Sequence, residues 1–292
     1  MSEACRTYRA FGLTIGSELP LPLPETPRAT PEPDLNVRRG DVNPSDDDSG
    51  VYLELAGISA RLRDSTTFIV DPGQQGVQMA SLVLLKRYLP ALQFQRGSTL
   101  LHAGAVSIDG RGVAFAGHRE SGKSSLVGTM YERGHRIITD DILMLADRDG
   151  SLVAVPSFPR ISLTPQSRDM IDVGLEAVLS PKYDGSKPWY AVDDGFGPNP
   201  VPIDVVYLLG ERGEVASPEI HPVGGRAALE AVAQHSVRFH WLNTADPVTR
   251  QFRQCVSLCT RTEVKSLRRP DGFGTIPDVI ELVENDVRSP RP

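Results

Sequence analysis

One octapeptide constrains this chain more than any other feature: Gly117-His118-Arg119-Glu120-Ser121-Gly122-Lys123-Ser124. It fits G-x-x-x-x-G-K-[ST] at every fixed position, and each position has a physical reason. Glycines let the backbone fold until its N–H groups converge on a polyphosphate. Lys123 has the reach for β- and γ-phosphates, and Ser124 offers a hydroxyl to Mg²⁺. The flanks supply the frame the motif requires. Gly112 to Ala116 is an apolar run suited to a buried strand; Ser125 to Arg133 puts Leu126, Val127 and Met130 on one helical face, with Gly134 as a stop. The chain has only five lysines, so roughly 0.005 chance matches are expected. Strand, glycine loop and helix in this order predict an α/β fold. The backbone from Gly117 to Ser125 becomes a candidate nucleotide cradle at a positive helix N-terminus.

A second element follows. Asp140 and Asp141 interrupt the apolar run Ile137 to Leu145, sixteen and seventeen residues beyond Ser124. A phosphate loop that does chemistry needs an acidic group near its metal, brought in by a buried strand. One aspartate would hold Mg²⁺ and the other would take a proton from an attacking hydroxyl. A plain turn between two strands is the competing reading of the same pair.

The rest of the chain bounds the class. With 40% hydrophobic and 23% charged residues, 292 residues suffice for a sizeable core without staples. A net charge of −6 argues against nucleic acid or an anionic membrane as partner. No apolar run approaches a membrane span, and the first residues carry no secretory pattern. Three cysteines without CxxC spacing suit reduced thiols and a cytoplasmic setting; Cys255 and Cys259 would share a helix face as small apolar residues. Short β-like stretches occupy Thr7 to Ile15, Leu35 to Arg38, Val51 to Leu55, Ser59 to Leu62 and Thr66 to Val70, around a proline-rich segment that ends in the solvated turn Asp46-Asp47-Asp48. Residues 77–94 suit a buried helix, with Pro90 as its kink. The chain therefore divides into an N-terminal β-rich section, 1–75, and a catalytic section, 76–292.

Leu101-His102-Ala103-Gly104-Ala105-Val106, the glycine loop, Arg133-Gly134-His135-Arg136 and Asp140-Asp141 together resemble the catalytic domain of HPr kinase/phosphorylase. That family places a histidine fifteen residues before the first loop glycine, as His102 stands to Gly117. Pro222-Val223-Gly224-Gly225-Arg226 resembles its Pro-Val-Arg-Pro-Gly-Arg. Tyr8-Arg9-Ala10-Phe11-Gly12-Leu13, Ser17-Glu18-Leu19-Pro20, Phe158-Pro159-Arg160-Ile161-Ser162-Leu163 and Leu267-Arg268-Arg269-Pro270 resemble a narrower branch, the HPr-kinase-like proteins of peptide-modification gene clusters, lasso-peptide kinases included.

The resemblance implies a phosphoenolpyruvate-carboxykinase-like P-loop core using ATP and Mg²⁺ to phosphorylate a serine hydroxyl, with a ribosomally made precursor peptide as substrate. It implies Asp140 as base, Ser124 and Asp141 as metal ligands, Lys123 on phosphate, and His102 and Arg226 lining the site. The family assembles as hexamers, which admits a homo-oligomer here. Two departures stand out: Arg119-Glu120 replaces the family's Ser-Gly inside the loop, and its Glu-x-Arg-Gly-x-Gly-Ile-Ile-Asn signature is missing. Arg160 is a candidate contact to a phosphate or peptide carboxylate, because arginine presents a bidentate fork. Residues 180–200, with Lys182, Lys187, Trp189 and Tyr190, suit a substrate lid or a plain surface loop. A nucleotide-sensing regulatory module and a small-molecule kinase are the alternatives on the same loop.

Overall fold

The structure, a computed structural model, describes residues 5–27, 32–44, 50–179, 187–213, 215–237, 239 and 247–290. The Asp46-Asp47-Asp48 turn, Lys182 and His240 lie outside the described residues. The chain forms two compact units: residues 1–96 with 182–184 and 239–243, and the remainder.

The first unit is a six-stranded sheet with a helical cover. Its strands are β1 (Arg6–Ala10), β2 (Leu13–Ser17), β3 (Leu35–Arg39), β4 (Gly50–Leu55), β5 (Ile58–Arg63) and β6 (Thr67–Asp71), in the order β1-β2-β3-β6-β5-β4. The stretch Thr7 to Ile15 is a hairpin rather than one strand. Phe11 and Gly12 both take positive φ, 51° and 73°, and Ala10 faces Leu13 across the two-residue turn. The cover is α1 (Gly76–Val83), one π-helical turn over Leu84–Tyr88, and α2 (Leu89–Gln95). The π turn sits just before Pro90 and hands the Leu89 N–H to Leu84 O, so the helix passes the proline without breaking. Tyr88 Oη donates to Ile58 O, and Gln93 Nε2 to Phe11 O, both at 2.8 Å. By contact, residues 76–96 group with the N-terminal strands.

The second unit is mixed α/β. Its main sheet contains β7 (Thr99–Ile108), β8 (Arg111–Ala116), β9 (Arg136–Thr139), β10 (Ile142–Arg148), β11 (Ser151–Val155), β15 (Val201–Arg212), β16 (Glu219–Pro222) and β17 (Glu263–Arg269). A small sheet holds β12 (Arg160–Ser162), β13 (Ala177–Leu179) and β14 (Trp189–Ala191). The helices are α3 (Lys123–Glu132), α4 (Pro165–Asp169), α5 (Gly225–His235), α6 (Pro247–Arg261) and α7 (Ile276–Arg288). Strand β15 runs parallel to both β8 and β17, so the glycine loop springs from the carboxyl end of a strand in a parallel pair, where ligands of α/β sheets commonly bind.

Two cores flank the sheet. On one face Leu126, Val127 and Met130 of α3 pack with Phe115, Tyr207 and with Ile276, Val279, Ile280 and Val283 of α7. On the other, Ala103, Leu143 and Val206 pack with Val232 of α5 and with Cys255 and Leu258 of α6. Helix α3 lies so close to β7 that a Cβ on Gly104 would stand 2.7 Å from Val127 Cγ2.

Candidate functional site

The loop is anchored at both ends. Gly122, the residue before α3, has φ +88°, in the left-handed region that glycine enters without strain. Behind it lies the guanidinium of Arg269, only 4% exposed, its Nη2 without a hydrogen-bond partner among the described residues. Burial lowers this arginine to about 10, and neighbouring Arg212 pushes the same way. Lys123 is buried, and Nζ donates to the carbonyls of Gly117 and His118 at 2.8 and 2.9 Å. Burial lowers its pKa, while Asp140 and Asp141 oppose the shift. The side chains of His118, Arg119 and Glu120 are exposed. Ser121 Oγ is buried without a partner, and Ser125 Oγ is 2.9 Å from Ser167 Oγ.

A cavity of about 330 Å³ opens in front of α3. Its walls include Lys123, Ser124, Ser167, Lys187, Arg212 and Phe273. The segment 180–200 thus contributes Lys187 to this wall. The residues after it are packed rather than loose: Ile137 N donates to Gly195 O, and a Cβ on Gly195 would overlap the Tyr131 ring.

The aspartate pair interrupts a strand that otherwise follows β7, with Thr139 opposite Ala105 and Ile142 opposite His102. Successive residues of an extended chain point to opposite sides, and here the two carboxylates part. Asp140 is 7% exposed; Oδ2 accepts from Ser162 N at 2.7 Å, while Oδ1 is buried without a partner. Burial raises its pKa to about 6 against the opposing pull of the Ser162 N–H and the nearby Ser124 hydroxyl. Asp141 is half exposed, its Oδ1 3.1 Å from His102 Nδ1. The pair is a bend within one course along β7, and it stands beside the glycine loop.

The orphaned Asp140 oxygen and the neighbouring Ser124 hydroxyl fit a magnesium ion, which takes one or two protein oxygens and completes its shell with phosphate and water. Among the described residues no group of three or more His, Cys, Asp or Glu forms a cage of its own.

Two expected residues stand elsewhere. Arg160 is buried and pairs with Asp193 at 2.7 Å, so its fork ties β12 to the segment after β14 and is not free for a ligand. Arg226 is 89% exposed and pairs with Glu230 one turn along α5. His235 ends that helix beside His118, ring centroids 5.2 Å apart, and nine residues of helix put Arg226 about 14 Å from it. Crowding by burial, His118 and Lys123 lowers His235 to about 4. His135 bonds Glu284 at 2.7 Å and is structural. The sequence analysis missed Ser162 N, Arg212 and Phe273. Only the Arg160-Ile161-Ser162 run gave a signal, and it served the aspartate rather than a substrate.

Fold and site define a mixed α/β protein in which a glycine loop and a buried lysine border one cavity and a divided carboxylate pair stands beside the loop. Over 91 residues the chain is HPr-kinase-like: it is 36% identical to the HPr kinase/phosphorylase of Clostridium botulinum and 34% identical to that of Clostridium beijerinckii. The chain spans about 29% of the length of these relatives, and the matched stretch is 29% of its own length. The HPr(Ser) kinase/phosphatase of Coxiella burnetii superposes with a TM-score of 0.35 at 18% identity, over 65% of this chain and 88% of that one. No protein-family model matches the chain. Among the described residues no helix is long and apolar enough to cross a membrane.

Proposed function

We propose that this protein is an ATP-dependent kinase with a phosphoenolpyruvate-carboxykinase-like P-loop core. It would transfer the γ-phosphoryl group to a serine hydroxyl of a peptide, with a ribosomally made, lasso-type precursor as the favoured substrate. The observation that carries the reading is the meeting of Lys123 and Ser124 on one cavity, with Asp140, whose Oδ1 has no hydrogen-bond partner among the described residues, beside the Ser124 hydroxyl. The relatives' name, HPr kinase/phosphorylase, supports phosphoryl transfer to a protein hydroxyl.

Backbone N–H groups of the loop and the α3 N-terminus would bind the polyphosphate. Lys123 would leave its own loop carbonyls for the β- and γ-phosphates. Bound Mg²⁺ would supply charge neutralisation on the phosphate oxygens. The positions support a division of the aspartates opposite to the one implied by resemblance. Asp140, aimed at Ser124, suits the cation; Asp141, half exposed with His102 behind it, suits an incoming hydroxyl and its proton. Arg160 and Arg226 drop out of the proposed machinery.

The test is mass spectrometry of a precursor peptide encoded beside the gene after incubation with Mg-ATP. A gain of about 80 Da per phosphate on serine, lost in Lys123→Ala, is expected. ATP binding with the peptide unmodified would overturn the peptide-kinase reading.

A further inference from the structure

The loop accounts for the phosphates of a nucleotide and leaves the nucleoside without a seat. The lining of the same cavity supplies one. Phe273 lines it and is 37% exposed, one of four large apolar side chains so open among the described residues. It begins a short 3-10 turn, Phe273–Thr275, which Thr275 Oγ1 closes on Gly272 O at 2.9 Å. Arg212, also on the wall, links this turn to the glycine loop. Its Nη2 donates to Glu120 O at 3.2 Å, and its Nη1 pairs with Asp271 at 3.6 Å, two residues before Phe273. The lining also includes Thr164, Gln166 and Ser167, and the Gln166 amide suits a sugar.

We infer that Phe273 is the stacking platform for the nucleotide base, and that Arg212 positions it by tying the Asp271–Phe273 segment to the loop. The inference rests on the nucleotide-binding reading above and adds the base subsite to it. An exposed ring in a cleft whose other end holds phosphate is costly unless a flat apolar partner covers it, and a purine face does so. Stacking reads no base edge. The site therefore takes adenine and guanine nucleotides with similar affinity, and selectivity between them is weak.

The experiment is calorimetric binding of Mg-ATP, Mg-GTP and inorganic tripolyphosphate to the full chain and to Phe273→Ala, Phe273→Tyr and Lys123→Ala. Phe273→Ala should weaken both nucleotides about five- to twentyfold and leave tripolyphosphate unchanged, while Phe273→Tyr restores the nucleotides. Arg212→Ala should weaken nucleotides more than tripolyphosphate. Unchanged ATP affinity in Phe273→Ala, or an equal loss for tripolyphosphate, overturns the base platform while the phosphate site stands. No binding of any of the three ligands by the unaltered chain, or no loss in Lys123→Ala, overturns the nucleotide reading itself.

Discussion

His102 Nδ1 lies 3.1 Å from Asp141 Oδ1, and the adjacent Ala103 N–H donates to the carbonyl of Asp141. A main-chain bond thus holds the pair in register while both side chains stay about half exposed. In the proposed mechanism His102 is a positioning residue that holds Asp141 toward the acceptor. His102→Ala should lower kcat about ten- to a hundredfold with little change in KM for ATP, and His102→Asn should recover part of the loss. Stopped-turnover assays on a phosphorylated peptide read both. A rise in KM for ATP without loss of kcat would remove His102 from this role.

Asp140 should be a residue that activity needs and stability resists. Its carboxyl is raised from 3.8 to about 6 by burial, so the folded protein holds this proton more tightly than the unfolded chain. Below about pH 4 both states are protonated and nothing is lost. As pH rises through 6 the folded state must ionise a buried group, at a cost of about 3 kcal/mol. Without nucleotide or magnesium, Asp140→Asn should therefore melt higher than the parent at pH 8, and the gap should close as pH falls from 6 toward 4. The same variant should lose magnesium-dependent ATP binding. Thermal melts across that range, with binding measured at pH 8, check both halves.

Gly122 has two independent reasons to be glycine. Its φ of +88° costs a side chain about 1–2 kcal/mol, and a Cβ there would stand 3.0 Å from the buried Arg269 Nη2. Gly122→Ala should distort the loop and weaken Mg-ATP at least tenfold, with the second unit still folded. Circular dichroism beside a titration separates the two effects.

Arg160 gives the opposite expectation from a ligand-binding arginine. Its ion pair with the half-exposed Asp193 ties β12 to the segment after β14. Arg160→Met should destabilise the protein by about 1 kcal/mol, since the Asp193 carboxylate left behind is half exposed and can be solvated. Peptide KM should move little where the variant is folded. A large KM effect with unchanged melting would return Arg160 to the substrate site.

The glycine loop could be read from the sequence because its chemistry fixes residue types at fixed spacing, and the helix behind it followed from Leu126, Val127 and Met130. The presence of two aspartates was equally plain. Their different surroundings were not, because Ser162 N–H beside Asp140 and His102 beside Asp141 come from other segments of the chain. Arg212 and Phe273 obey no spacing rule relative to the loop; the parallel neighbours of β15 bring them there. The β1–β2 hairpin was hidden because Phe11, a bulky residue that seldom takes positive φ, occupies its turn. Arg160 stayed a candidate ligand contact because charge alone does not reveal a salt-bridge partner 33 residues away such as Asp193.

Helix α7 packs Ile276, Val279, Ile280 and Val283 against α3, the helix that opens at the glycine loop. The scaffold behind residues 117–124 is thus supplied more than 150 residues later in the chain. A ribosome-bound chain that has exposed the loop but not yet α7 would carry the motif without its backing. During synthesis the protein would be inert toward nucleotide, and would become competent only as its last helix docks.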